Sequence, residues 1–145
     1  MRDLNKWLTG AALVLVGSVS APAFAGGKVN VMLQEWRVVA DTKKVSPGEV
    51  IFTVQNRGKE KHELVLLKTD VPYDKLPMAK DGGIDETGAG TVITEVEDIE
   101  PKMIKTMTAN LEPGNYVLLC NVVEVEGGSL EEHYKMGMRV PLLVQ

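Results

Sequence analysis

The C-terminal segment NYVLLCNVVEVEGGSLEEHYKMGMRVPLLVQ, residues 115–145, has a strand pattern at each end and several metal-binding side chains between. In NYVLLC a two-residue period places Tyr116, Leu118 and Cys120 on one face of a strand, and the opposite face is also apolar. The closing MRVPLLVQ repeats this period from Met138 onward. The segment therefore predicts two buried strands joined by a loop that carries chemically active residues.

The preceding part of the chain continues the strand pattern, with turn-forming Pro, Gly and Asn residues between short alternating runs. No stretch sustains a helical period. Six more strands are predicted: KVNVMLQ (28–34), RVVADTKKV (37–45), EVIFTVQN (49–56), ELVLLKT (63–69), TVITEVEDI (91–99) and MIKTMTANL (103–111). The pattern predicts an all-β fold, an antiparallel Greek-key β-sandwich of about seven to eight strands. Residues 70–90 break it and are interpreted as an excursion with a short helix or a surface loop, in which DGGIDETGAG is a solvated loop.

The first 25 residues have the composition of a leader peptide. A positively charged start precedes an apolar run, and APAFA places small residues before Gly26. This pattern predicts a signal peptide over residues 1–25 for the general secretory route, with cleavage after Ala25. A membrane anchor is the alternative, but the run is shorter than the roughly 20 residues of a bilayer span. We therefore expect a periplasmic or secreted domain over residues 26–145, without stable membrane insertion.

Charge and cysteine content exclude some classes of partner. The leader contains two basic residues and one acidic residue, so its removal shifts the formal net charge from −4 to −5. Nucleic acid binding needs clustered positive charge and is not expected. Exported domains often contain disulfides, yet Cys120 is the single cysteine in the chain. It is a metal ligand, a buried inert thiol, or a thiol used for an intermolecular disulfide or as a nucleophile.

The soft and borderline donors of the chain suggest a metal site. A thiolate and two imidazoles, with a weak axial thioether, suit copper that cycles between Cu(I) and Cu(II). The chain has one thiol, two histidines, His62 and His133, and thioethers beside His133. Zinc at a Cys-His-His site with an open position is the alternative. A second copper would need further ligands, since these three residues are all the cysteine and histidine in the chain.

Three motifs resemble those of the cupredoxins, the small blue copper proteins that include plastocyanin, azurin and pseudoazurin. They are N-x-G-x3-H-E-L-V, P-G-x-Y-V-L-L-C and H-Y-x2-G-M, and together they span most of residues 26–145. The resemblance implies a single type 1 copper ion with His62, Cys120 and His133 as equatorial ligands and Met138 as the axial ligand. It also implies an eight-stranded Greek-key sandwich and electron transport. Met136 is then a hydrophobic contact.

The chain differs from the familiar members of that family at two points. Twelve residues separate Cys120 from His133, and we expect VVEVEGGSLEE to form a flap beside the metal. Glu63 follows His62, where plastocyanin and azurin have asparagine. The resemblance also implies that an exposed edge of His133 serves as the electron exit, beside an apolar docking patch. Glu131 and Glu132 are interpreted as a solvated acidic turn.

These observations predict a function in electron transfer. We expect a monomeric one-electron carrier, not an enzyme, that docks transiently with redox partner proteins. The alternative is a periplasmic copper carrier or storage module that delivers or buffers copper. A Cys-His hydrolase would need a nucleophile beside an oxyanion hole, whereas Cys120 ends a strand. A metal-free binding module would use Cys120 for packing only.

Overall fold

The computed structural model describes residues 26–145, so the predicted leader, residues 1–25, lies outside the described residues. Within that range, alternating residues form eleven strands, and the two helices have four residues each, which is too short to span a bilayer. The elements are β1 (Gly27–Gln34), β2 (Arg37–Ala40), β3 (Lys44–Val45), β4 (Gly48–Asn56), β5 (His62–Lys68), α1 (Glu86–Ala89), β6 (Thr91–Ile99), β7 (Ile104–Leu111), β8 (Gly114–Leu119), β9 (Val123–Glu126), β10 (Ser129–Glu132), α2 (His133–Met136) and β11 (Arg139–Val144).

Nine of these strands form two sheets. One sheet has the order β2-β1-β4-β7 and the other the order β3-β11-β8-β5-β6. Apolar side chains from both sheets form one core, in which Phe52 of the first sheet and Leu66 and Leu118 of the second are fully buried. The predicted all-β sandwich is therefore confirmed. It is not purely antiparallel, because β1 pairs in parallel with β4 and β11 in parallel with β3.

The structure has more strands than the seven to eight predicted. The predicted strand 37–45 is two strands, since β2 pairs with β1 in one sheet and β3 pairs with β11 in the other. At the crossover, the carboxylate of Asp41 accepts hydrogen bonds from the backbone and side-chain N–H groups of Asn30 at 3.0 and 2.7 Å. The predicted flap is a hairpin of β9 and β10, which belongs to neither main sheet.

The two-residue period of β5, β8 and β11 is confirmed by burial. Leu118 and Cys120 of the β8 segment face the main core, whereas Val117 and Leu119 belong to a second apolar cluster on the outer face of the sheet. This second cluster explains why both faces of the segment are apolar.

The excursion of residues 70–90 covers the second cluster. It supplies the buried side chains Leu76, Ile84 and Ala89. The prediction of a solvated loop for DGGIDETGAG is therefore wrong at Ile84 and Ala89, because apolar side chains of that loop fill the outer face of the sheet. The hydroxyl of Tyr134, in α2, donates to the Tyr73 carbonyl at 2.9 Å and accepts from the Leu76 N–H at 3.1 Å. The excursion thus anchors the helix that begins with His133.

Candidate metal centre

His62 is positioned by the turn that precedes β5. The turn is organised by Asn56, whose side chain is fully buried. Its amide nitrogen donates to the carbonyls of Glu60 and Ile99, both at 2.7 Å, and its oxygen accepts from the Gly58 N–H at 2.8 Å. Because these bonds fix both ends of the turn, His62 begins β5 with its ring directed into the end of the sandwich.

Cys120, His133 and Met138 are linked through their backbones. The Cys120 N–H donates to the Met138 carbonyl, and the Met138 N–H donates to the His133 carbonyl, both at 3.0 Å. Gly137 allows the chain to turn from the end of α2 back toward Cys120, since its φ of 127° is a conformation that favours glycine. A Cβ atom at this position would lie 2.7 Å from the Trp36 carbonyl oxygen. The G-M motif therefore has a steric basis.

The structure brings together His62, Cys120 and His133. The two Nδ1 atoms are 3.2 Å apart, and Cys120 Sγ lies 3.4 Å from His133 Nδ1 and 4.0 Å from His62 Nδ1. All three side chains are fully buried. Metal bonds of about 2.0 Å to nitrogen and 2.3 Å to sulfur, in a trigonal or tetrahedral site, separate such donors by about 3.3–3.7 Å. The observed separations lie within about 0.3 Å of this range, so a small side-chain adjustment fits the three donor atoms to a single ion, and their chemistry fits a type 1 copper site.

Met138 and Met136 occupy different environments. Met138 is fully buried in the same apolar cluster as Cys120, whereas Met136 is 41% exposed. The burial of Met138 agrees with its predicted inward-facing position. The expectation that Met136 serves as a hydrophobic contact is not matched by a buried position.

Glu35 orients the His62 ring. Its Oε1 lies 3.3 Å from His62 Nε2, and the same oxygen accepts from the backbone N–H groups of Lys59 and Glu60 at 2.7 and 3.0 Å. A proton on Nε2 directed at this carboxylate leaves the lone pair of Nδ1 free toward Cys120. Carboxylates that hold the second nitrogen of a ligand histidine are a recurrent feature of metal sites.

Burial controls the protonation of the three donors. It raises the pKa of the Cys120 thiol to about 12, because a thiolate is poorly solvated inside the core. Burial also lowers the pKa of both His62 and His133, so the rings favour the neutral form that binds metals. Burial thus favours the neutral thiol and the neutral imidazoles.

Glu63 replaces the expected asparagine and makes its own link between the ligand strands. Its carboxylate accepts from the Asn121 N–H at 3.0 Å, and its backbone N–H points at Cys120 Sγ at 3.5 Å. Burial raises the pKa of Glu63 to about 7. The Glu63 residue therefore links the segment of His62 to the segment of Cys120.

The expectation of an exposed His133 edge is wrong. Both histidine rings are fully buried. Trp36 packs edge-on against His133 with ring centroids 5.0 Å apart, and Glu124 of the hairpin places Oε1 3.3 Å from His133 Nε2. The physical reason is the long loop between Cys120 and His133, which folds back as β9 and β10 and brings Glu124 over the ring.

The surroundings of the site contain residues that the sequence analysis did not identify. Glu35 and Trp36 lie in the turn between β1 and β2, and neither has a recognisable spacing to the ligand motifs. Glu131 is not part of a solvated turn, since one of its carboxylate oxygens is buried without a hydrogen-bond partner. The alternation of Glu124 and Glu126 with valines before Gly127-Gly128 is a signal for a hairpin, but it does not indicate contact with His133.

Comparison with known proteins supports the fold. Similar solved structures include dithionite-reduced auracyanin from Roseiflexus castenholzii (TM-score 0.54, 20% identity, 81% of this chain and 96% of the other). Rusticyanin from Thiobacillus ferrooxidans has a TM-score of 0.55 at 17% identity, over 81% of this chain and 76% of the other. Auracyanin A from Chloroflexus aurantiacus, described as a "blue" copper protein, has a TM-score of 0.50 at 17% identity, over 81% and 99%. The chain therefore has the cupredoxin fold.

Sequence comparison gives a weaker relationship. No protein-family model matches the chain. The iron uptake system component EfeO of Yersinia pestis is 24% identical over 146 residues, which cover 96% of this chain and 34% of that protein. The chain thus spans about a third of the length of the curated relatives it matches.

Proposed function

We propose that this cupredoxin-fold domain binds one copper ion through His62 Nδ1, Cys120 Sγ and His133 Nδ1, with Met138 as the axial ligand, and carries single electrons. The observation that carries the proposal is the buried triangle of three donor atoms, none more than 4.0 Å from another. Bound copper would supply a centre that accepts and releases one electron. The set of one thiolate and two imidazoles suits both of its oxidation states.

The chain supports such a centre by holding its donors in place. Glu35 fixes His62, and the Met138 carbonyl and the Glu63 N–H hold the Cys120 backbone and sulfur. A framework in which donors are fixed by strands and turns changes little when the charge of the site changes. The complete burial of both rings and the thiol leaves no open position for a substrate, which favours a carrier over an enzyme.

The surface above the site suggests the chemistry of a redox partner. Carboxylates of Glu35, Glu60 and Glu124 lie beside the histidine rings. A partner with a basic docking surface would be attracted to this area, and such attraction mainly raises the rate of encounter. We propose transient docking of a monomer in the periplasm or outside the cell, after removal of residues 1–25.

A role in copper delivery or storage is the second candidate. The full burial of His62 and His133 favours it, since neither ring offers the exposed edge expected of an electron exit. The relative from Yersinia pestis is described as an iron uptake system component, which supports a role in periplasmic metal handling in a broader sense. Both candidates use the same copper ligands.

Copper titration tests the proposed site, and voltammetry separates the two roles. Addition of Cu(II) to the purified protein is expected to produce an intense absorption in the orange-red region, from thiolate-to-copper charge transfer. The Cys120→Ser variant should lack this band, whereas Met136→Leu should retain it. A fast and reversible one-electron couple supports the electron carrier, and a sluggish or absent couple supports delivery or storage. A wild-type protein without the band would contradict the proposed copper site.

A further inference from the structure

A second group of potential ligands lies on the opposite edge of the His133 ring. It consists of Glu60 from the turn before β5, Glu124 of β9, Glu131 of β10 and His133 itself. One ligand atom from each of these residues lies within 4.8 Å of all the others. His133 Nε2 is 3.3 Å from Glu124 Oε1 and 3.8 Å from Glu60 Oε2. Two segments that are distant in sequence, the turn before β5 and the β9–β10 hairpin with the start of α2, therefore meet at this nitrogen.

The hydrogen bonding of this group is incomplete. Within residues 26–145, three buried side-chain oxygen or nitrogen atoms lack a hydrogen-bond partner, and they are Glu60 Oε2, Glu131 Oε2 and His133 Nε2. All three belong to the group, and the His133 side chain is fully buried. The 3.3 Å contact of His133 Nε2 with Glu124 Oε1 does not have the geometry of a hydrogen bond. Buried polar atoms in proteins are rarely left without a partner, and where no protein group supplies one, an ordered water or a bound ion does. The unsatisfied atoms thus point to a ligand at this position.

The charges of the group are also unbalanced. Glu124 and Glu131 stand directly opposite each other in the β9–β10 hairpin, so their side chains share one face. Like charges in such a pair are destabilising. The salt bridges of the described residues that involve lysine join Lys61 to Asp98, Lys68 to Glu112 and Lys135 to Glu132, and none reaches this group. A cation between the carboxylates would remove the repulsion.

We propose that Glu60, Glu124, Glu131 and His133 Nε2 form a second metal site, for a divalent first-row transition cation. Carboxylate oxygens suit hard ions such as Mn²⁺, while the imidazole nitrogen favours a transition metal over Ca²⁺ or Mg²⁺. The donor set differs from the thiolate site on the other edge of the ring, because it contains no sulfur. The site shares His133 with the proposed copper centre but does not require copper to be bound, because a ring protonated at Nδ1 presents the Nε2 lone pair to the cation. Occupation of both sites at once would require loss of the ring proton, so that the imidazolate bridges the two ions.

Manganese is the most selective probe of this site, because Mn²⁺ binds weakly to thiolate and thioether donors and is visible by electron paramagnetic resonance. Titration of the copper-free protein with Mn²⁺ is expected to show one saturable site per chain. Glu131→Gln should weaken Mn²⁺ binding at least about tenfold, which is the lower end of the loss seen when even an indirect partner of a metal site is removed. Glu124→Gln should act in the same direction.

Two control variants separate a ligand effect from other effects. Glu126→Gln removes the same charge from the same hairpin outside the proposed ligand set, and should change Mn²⁺ affinity less than about threefold because exposed charges are screened. Cys120→Ala should keep Mn²⁺ binding and lose the copper band, so failure of the copper proposal and failure of this one are distinguishable. Absence of saturable Mn²⁺ binding, or equal losses for Glu131→Gln and Glu126→Gln, would overturn the proposal.

Discussion

The two edges of the His133 ring face different chemical environments. On the Nδ1 edge, a thiol and a second imidazole lie within 3.4 Å. On the Nε2 edge, the nearest groups are the carboxylates of Glu124 and Glu60. The first edge is typical of soft metal sites and the second of harder ones. One buried residue thus divides the end of the sandwich into a sulfur-containing half and an acidic half.

The two halves of the site come from different parts of the fold. The sulfur-containing half comes from residues at the ends of main strands, where the sandwich itself fixes their positions. The acidic half comes from a turn and a hairpin that lie outside both main sheets. We therefore expect the first half to depend on the fold as a whole, and the second to respond to single changes in surface segments.

Removal of the thiol is expected to have the largest effect and to act on one half only. Cys120→Ser should abolish the orange-red absorption of the copper-loaded protein, because the charge-transfer donor is the sulfur. Mn²⁺ affinity should change less than about twofold, since Cys120 is not among the acidic ligands. Visible spectroscopy and electron paramagnetic resonance on the same samples make the comparison. A parallel loss of both metals would show that the two halves are not separate sites.

A substitution of Glu35 tests whether its carboxylate orients His62 in the sulfur-containing half. Glu35→Gln should lower copper affinity by about 10–100-fold, because the carboxylate that holds His62 Nε2 is lost. Competition with a chelator of known affinity measures the change. Glu49→Gln, an exposed position in β4 with the same change in charge, is the matched control and should bind copper like the wild type. Equal affinities for all three proteins would contradict the orienting role of Glu35.

Gly137 tests the backbone that joins His133 to Met138. Gly137→Ala should destabilise the protein by about 2–4 kcal/mol, since a positive φ costs about 1–3 kcal/mol and the new Cβ meets the Trp36 carbonyl. Gly128→Ala has a positive φ of 85° but nothing within 4 Å of its Cβ, so it should cost only about 1 kcal/mol. Urea unfolding of the metal-free proteins measures both. A smaller loss at Gly137 than at Gly128 would refute the steric account.

The smallest expected effect concerns pH and the acidic half. Burial, followed by repulsion from Glu131, raises the pKa of Glu60 from 4.5 to about 7. A folded-state pKa above the unfolded one means that the folded state binds more protons, so stability falls as pH rises from about 4.5 through 7. Glu60→Gln removes this loss. In the presence of a chelator it should stabilise the protein at pH 8, by on the order of 1 kcal/mol after solvent screening, and have little effect at pH 5.

Thermal unfolding of wild type and Glu60→Gln at the two pH values measures this effect. A stabilisation of 1 kcal/mol corresponds to a Tm increase of about 3–6 °C for a domain of this size. Glu126→Gln is the control for a general reduction of negative charge. An equal gain at pH 5 and pH 8 would contradict the assigned role of Glu60 ionisation.

Much of the fold and of the sulfur-containing half could be predicted from the sequence. The two-residue period of NYVLLC placed Cys120 toward the core, and the same period applied to His62 and Met138. These side chains lie at strand ends, so local pattern determines their direction. The split of residues 37–45 into β2 and β3 could not be predicted, because it depends on which sheet each half pairs with.

The acidic half could not be predicted from the sequence for a similar reason. Glu124 and Glu131 meet only when the hairpin forms, and Glu60 joins them only because Asn56 fixes a turn on another strand. In the sequence these glutamates look like ordinary surface residues. The burial of His133 likewise depends on the hairpin folding back over the ring. The alternation of apolar residues within a strand does not predict that position.

X-ray absorption at the copper edge of the loaded protein tests the central claim most directly, since it identifies the atoms bound to the metal. The account predicts one short copper–sulfur contact together with two imidazole nitrogens in the wild type, and loss of the short sulfur contact in Cys120→Ser. A first coordination sphere of only nitrogen and oxygen in the wild type would contradict it, and would show that copper binds on the acidic edge of His133 or elsewhere.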